Sequence, residues 1–241
     1  MRRLVASEAR ALASIRVGFG IVCLLKGLAM ALSAVNIGLL APWLALSILI
    51  TLGVWARAAA AGIVVVGALL LLDRVISNHL YLIMLVGILL SVSDSERHFA
   101  FRPRGAGPVR AWTLFLLGAQ LSIVYGFAAL AKLNASWLSG HALSAFLAQA
   151  ILPVPDVGVL FPIVAVMVVL VEIGLAAAPW SARLRKPAFA VAVIVHMGML
   201  SVAHSLVDGL QIGLLGILML VLFLPFFAPS LGLRGSPPSA L

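Results

Sequence analysis

Cysteine and charge are both scarce in this chain. Cys23 is the only cysteine in 241 residues, so a disulfide framework, a zinc knuckle or an iron–sulfur cluster cannot be assembled within one chain. Set in an apolar run, it reads as a small filler on a membrane helix rather than a reactive thiol. Charged residues make up 10% of the sequence, against about a quarter in an ordinary soluble domain. Acidic residues number 7 against 16 basic ones. No Gly-rich phosphate loop, nucleophile elbow or acidic dyad occurs. His79, His141, His196 and His204 are scattered without close ligand spacing, so no metal is expected. No internal repeat stands out. The first 17 and last 13 residues, outside the apolar runs, leave no room for a soluble domain.

What remains is oil. Hydrophobic residues are 64% of the chain and the mean hydropathy is +1.23, values of an all-α integral membrane protein. The apolar runs predict eight spans, about 17–34, 37–54, 58–73, 79–93, 111–131, 158–178, 187–204 and 209–228. The basic start and apolar run of residues 1–34 are also compatible with a signal peptide. The long amphipathic basic region favours an uncleaved first span.

Eight spans with the N-terminus inside put Arg2, Arg3, Arg10, Arg16, Arg57, Arg97, Arg102, Arg104, Arg110, Arg183, Arg185, Lys186 and Arg234 on the inner side, thirteen of the sixteen basic residues. Arg74 and Lys132 fall outside, and Lys26 lies within the first span. That asymmetry predicts N-in, C-in topology, and the net charge of +9 is assigned to orientation and anionic lipid rather than nucleic acid. A loss of two spans preserves the pattern.

Two connectors are long. Residues 94–110, "DSERHFAFRPRGAGPVR", read as a solvated inner connector. Residues 134–156 lie outside and carry Trp137, Leu138, Leu143, Phe146, Leu147 and Ile151 at near-helical spacing, which predicts an interfacial or re-entrant helix over about 137–151, ended by Pro153 and Pro155.

Ionisable groups within a bilayer cost about 2.5–3.5 kcal/mol each on insertion scales, so Lys26, His79, Lys132, Glu172 and His196 invite a functional reading. Lys132 could simply snorkel to the headgroups. It stands, however, on the side where lysine is disfavoured, next to a helix able to roof it over, and a neutral amine in a dry pocket is a usable base. Asn78, His79 and Tyr81 share one depth, where an interfacial polar cluster is the plain alternative. For Glu172 and His196 that alternative is an interhelical hydrogen bond, to each other or to Lys26.

"KLNASWLSG" at 132–140 follows a Lys-Leu-x-x-x-Trp-x-x-Gly pattern. "NHLYL" at 78–82 and the pair of segments in 171–200, with Glu172, a basic turn and His196, accompany it in order. Over roughly residues 10–228 the chain resembles the membrane domain of vitamin K-dependent gamma-carboxylases and their bacterial relatives, the HTTM (horizontally transferred transmembrane) proteins. The resemblance implies a catalytic pair. The lysine matched by Lys132 is the base that deprotonates reduced vitamin K, and the histidine matched by His79 is linked to carboxylation. O2 and CO2 are co-substrates: oxygen adds, a strong base forms, and a glutamate proton is removed before CO2 is taken up. Asn78, Tyr81, Trp137 and His196 are the candidates to hold the quinol.

The implied partners are membrane lipid, a lipid-soluble quinone and a peptide or protein substrate on the non-cytoplasmic side, in the bacterial inner membrane. The sequence departs from the carboxylases at Ala131, where they carry a second lysine, and at Ser136, where an acid stands in some of them. It also has no counterpart of their large C-terminal domain in its 241 residues. The quinone chemistry is therefore expected with an open choice of substrate. A transporter or permease built on Lys26, Glu172 and His196, and a non-enzymatic membrane partner, are the rival readings.

Overall fold

A computed structural model of the chain describes residues 2–32, 37–73, 78–101, 111–150 and 158–227. Among these residues there are helices and no strands. Ten are α-helices: α1 (Arg2–Ala31), α2 (Ile37–Leu52), α3 (Ala56–Leu72), α4 (Asn78–Ser91), α5 (Ala111–Ala131), α6 (Ala135–Leu138), α7 (His141–Leu147), α8 (Phe161–Ala177), α9 (Arg185–Ser201) and α10 (Leu206–Phe227). The eight longer ones start and stop close to the eight apolar runs, because those runs are continuous helix formers broken by turn residues and charge. The exception is α1, which extends the first run back through the amphipathic basic segment.

Four helical stretches are long and apolar enough to cross a membrane: Ala9–Ala31, Trp112–Ala131, Gly158–Trp180 and Leu206–Phe226. α2, α3 and α4 are apolar but shorter.

α1 lies at the centre, packed on α2 and α10. Its buried stripe runs Leu12, Ile15, Phe19, Val22 and Cys23, then Lys26 and Met30, the spacing of one helix face. α2 packs on α3, α3 on α4, α5 on α8 and α9 on α10, so sequence neighbours are mostly spatial neighbours. The outward faces stay apolar: Leu28, Val65, Leu72, Ile163 and Ile194 are all exposed, as a lipid-facing surface requires. The turn between α2 and α3 is tight because Gly53 (φ 70°) and Trp55 (φ 46°) take left-handed backbone.

The connector after α4 corrects the sequence reading at its start. Residues 94–96 are packed rather than solvated, while Phe99 and Phe101 are exposed. Ser93, Ser95 and Glu96 are buried. Arg57 pairs with Asp94 and donates from Nε to Ser93 O at 2.6 Å, and its backbone N–H donates to Glu96 Oε1 at 3.0 Å. Arg16, fully buried, donates to Phe99 O at 2.5 Å. The arginines make this contact because they find carbonyl or carboxylate acceptors, although Arg16 Nε and Nη1 are buried without a partner among the described residues.

The roof is corrected too. The expected single helix over 137–151 is two short ones, α6 and α7. They are split by Gly140 at φ 79°, a conformation that glycine reaches without Cβ strain. Trp137, Leu143 and Leu147 from this segment pack on Phe161 and Ala165 of α8, forming a small cluster separate from the main core. Ile151 and the prolines that were to end the helix lie outside the described residues.

Candidate functional site

The turn after α5 places Lys132. The Lys132 N–H closes on Ala129 O and the Asn134 N–H on Lys132 O at 2.9 Å, so the chain reverses immediately. Asn134 then caps α6, its Oδ1 accepting the Trp137 N–H at 3.0 Å, which is the ordinary use of Asn before a helix. One turn on, the Trp137 ring stands over Lys132 Nζ at 5.2 Å from its centroid, a cation–π distance. The indole Nε1 donates to Ala165 O of α8 at 3.1 Å and fixes the ring. The spacing of Lys, Asn and Trp in "KLNASW" thus builds a cation, a cap and a lid.

Lys132 does not reach for the headgroups. Its Nζ donates to Glu172 Oε1 at 2.8 Å, to Glu172 Oε2 at 3.0 Å and to Ala128 O at 3.2 Å. Three donor contacts account for the three ammonium hydrogens. Glu172 belongs to the buried stripe of α8, with Phe161, Ala165, Val169 and Leu175. The side chains of Lys132 and Glu172 keep 22% and 12% of their surface, so the pair is shielded yet reachable.

Next to it, Tyr125 OH and His196 Nε2 share a hydrogen bond of 3.0 Å, and Tyr125 feels the charge of Glu172. His196 Nδ1 is buried and has no partner among the described residues. Gly216 of α10 seats this histidine: a Cβ there would stand 3.0 Å from His196 Cβ and 3.1 Å from its Cγ.

His79 lies in a different cluster. It faces the Gln211 side chain and the charges of Lys26 and Asp208, and Lys26 Nζ donates to Gln211 Oε1 at 2.5 Å. The structure therefore brings Lys132 together with Glu172 and Trp137, and sets Tyr125 with His196 beside them. Tyr81 is 50% exposed on the outer surface of α4. The Asn78 side chain lies outside the described residues. Neither Glu172 nor His196 pairs with Lys26 or with the other; Glu172 pairs with Lys132 in the turn after α5, and His196 with Tyr125 of α5.

The family model of the HTTM domain matches residues 18–230, nearly the whole chain. The chain belongs to the HTTM domain family. No curated protein and no solved structure matches it.

In this HTTM protein two polar residues of the bundle escaped the sequence reading. Tyr125 was not singled out, although it continues the buried α5 stripe of Leu117 and Leu121; that four-residue spacing was the available signal. Gln211 is the second. A neutral amide in an apolar helix is a weaker signal than a charge, yet it too needs partners in lipid.

Proposed function

We propose that this HTTM protein is a membrane-embedded, carboxylase-like enzyme. In it the Lys132–Glu172 pair takes a proton from a lipid-soluble hydroquinone of the vitamin K kind. The observation that carries this reading is the pair itself: an acid and a base 2.8 Å apart, under an aromatic lid, at the end of an apolar helix. The surroundings suit a hydroquinone, since Trp137 offers a ring face and Glu172 and Lys132 offer an acceptor and a donor for a hydroxyl. When bound, that group supplies an acidic hydroxyl and the electrons for reaction with O2, with CO2 as second co-substrate.

The rest is done by the chain. Desolvation raises the cost of the ion pair relative to its proton-transferred neutral form. Movement of one proton from Nζ to Glu172 leaves a free amine beside a neutral acid, and that amine accepts the incoming proton. Trp137 covers Nζ and holds water away. Tyr125 and His196 lie next to Glu172 as the continuation of the polar path. His79 acts from the second cluster, on whatever substrate is carried there. The reading places the N- and C-termini inside across eight spans, with Lys132 and its roof on the non-cytoplasmic face of a bacterial inner membrane.

The test is product formation. Protein in lipid is incubated with reduced vitamin K, air and bicarbonate, and quinone epoxide is sought by mass spectrometry. Epoxide from wild type that disappears in Lys132→Met supports the reading. Its absence from folded wild type, with vitamin K and with other quinols, overturns it in favour of transport or an accessory role.

A further inference from the structure

Two lysines sit inside this bundle, and they are treated differently. Lys132 has a carboxylate and uses all three ammonium hydrogens. Lys26 is more deeply buried, at 2% exposure, and among the described residues its one hydrogen-bond partner is a neutral amide, Gln211 Oε1. Two of its three donors have no partner among the described residues, and no carboxylate is bonded to it there. The nearby acid has one contact of its own at the start of α10, where Asp208 Oδ2 accepts the His204 N–H at 3.1 Å. On the other side of Gln211, His79 Nδ1 is buried and also without a partner among the described residues.

A buried ammonium with no counter-ion is among the costliest arrangements in a membrane protein. Packing alone does not explain it, because leucine or methionine at this point of the α1 stripe fills the same space at no such cost. Of the groups around it, Gln211 and His79 bring no negative charge, and the charge of Asp208 acts on His79. Gln211 has its oxygen on Lys26 and so turns its amide hydrogens away from it. Two unplaced ammonium hydrogens of α1 and the unpartnered His79 Nδ1 of α4 flank Gln211 of α10, whose side chain bonds both Lys26 and His79. His79, Gln211 and Asp208 are only half-buried, while Lys26 is buried.

We infer that Lys26, Gln211 and His79 form a binding site for a single carboxylate group, whose charge is the missing counter-ion of Lys26. A carboxylate fits because its two oxygens can be shared between the ammonium and a neighbouring donor, and because a planar monoanion carries less hydration than a phosphate. The carboxylate could come from water, on a small acid, or from the bilayer, on a free fatty acid. The inference is independent of the chemistry assigned to Lys132.

Cys23 provides the readout. It is the sole cysteine, is fully buried and lies one turn before Lys26, so a thiol-reactive dye reports unfolding around the site. Thermal unfolding of the full-length protein in lipid is followed in sodium acetate, in sodium chloride at matched ionic strength, and with oleate added to the bilayer. A ligand at about ten times its Kd raises the Tm by about 3–6 °C for a chain of this size. The expected result is a saturable rise of that order with acetate or with oleate, absent with chloride, and retained in Lys132→Met. Response to acetate assigns a water-borne carboxylate, and response to oleate alone a lipid one. Lys26→Met should abolish the response. Gln211→Glu supplies a built-in carboxylate and should raise the basal Tm while abolishing the response, and it carries the test where Lys26→Met is not recovered folded. Equal effects of chloride and acetate, no saturable rise with either carboxylate, or a response that survives in Gln211→Glu would overturn the site.

Discussion

At the scale of single residues, the Lys132–Glu172 contact sets what substitutions should do. Glu172→Gln removes the charge but leaves the shape, so Lys132 keeps an oxygen acceptor and loses its counter-ion. Breaking a buried pair on one side costs about 3–5 kcal/mol, and the 22% exposure of Lys132 places this one at or below the lower end. The double variant Lys132→Met/Glu172→Leu removes both charges and should recover much of that loss. A double-mutant cycle in thermal or denaturant unfolding measures it, and additive effects of the two single changes would show that the pair contributes nothing. Tyr125→Phe strips the one hydrogen bond that the His196 ring holds among the described residues, and a buried polar group so stranded costs about 1–3 kcal/mol. Unfolding should register that loss, whereas Tyr81→Phe, on an exposed face, should leave stability unchanged. The contrast marks how far residue types can be read. Lys132 was legible because a charge in an apolar run stands out. Its partner was not, since Lys132 and Glu172 are 40 positions apart and nothing in linear spacing says which faces of α5 and α8 meet. Tyrosine's general liking for the interface pointed to Tyr81, while the residue that pairs with His196 was Tyr125, on the α5 core stripe.

At the scale of elements, the roof over Lys132 depends on one backbone angle. Gly140 holds φ 79° between α6 and α7, and a Cβ added to it would lie 2.6 Å from Phe161 Cβ and 2.7 Å from Phe161 C. Gly140→Ala therefore meets two penalties, left-handed backbone and a clash with α8 that has no flexible end to yield. Because the segment belongs to a small cluster apart from the main core, the damage should stay local. We expect a loss of about 2 kcal/mol or more in roof docking. It should appear as faster proteolysis or hydrogen exchange over 135–147, a shift in tryptophan emission and reduced epoxide formation, with the bundle still folded. Global unfolding of Gly140→Ala would contradict a separately docked roof. The apolar pattern of this stretch was readable, since Trp137, Leu143 and Leu147 do face the protein. The break was not, because the glycine fits either a weak helix position or a left-handed hinge, and contact with Phe161 decides between them. The connector after α4 was misjudged for a related reason. Its charges suggest water, but Arg57, Asp94 and Glu96 satisfy one another against the end of the bundle, which removes the need for solvent.

At the scale of the whole molecule, helix length and charge pull in different directions. α2, α3, α4 and α9 have 16, 17, 14 and 17 residues, and at about 1.5 Å per residue they fall short of a hydrocarbon core about 30 Å thick. Bilayers thin locally around short helices at modest cost, so all eight long helices can cross. If instead only the four long stretches cross, the inside–outside assignment changes in the middle of the chain. With the N-terminus inside, eight crossings put residues 94–101 inside and 134–140 outside. Four crossings, through α1, α5, α8 and α10, exchange the two. The short-helix alternative also moves Arg57, Arg183, Arg185 and Lys186 to the outer side, against the positive-inside rule, and it exposes to water the apolar lipid-facing residues of α3 such as Val65 and Leu72. Both arguments favour eight. The measurement is membrane-impermeant thiol labelling of sealed, oriented vesicles. Cys23→Ala serves as a cysteine-free background, because Cys23 is the only cysteine, with Ala100→Cys and Ser139→Cys introduced one at a time. Eight crossings predict that Ser139→Cys labels from the non-cytoplasmic side and Ala100→Cys only after the membrane is opened. The reverse pattern would place Lys132 and its roof at the cytoplasmic face, and a quinol-processing site there would have to draw its second substrate from the cell interior.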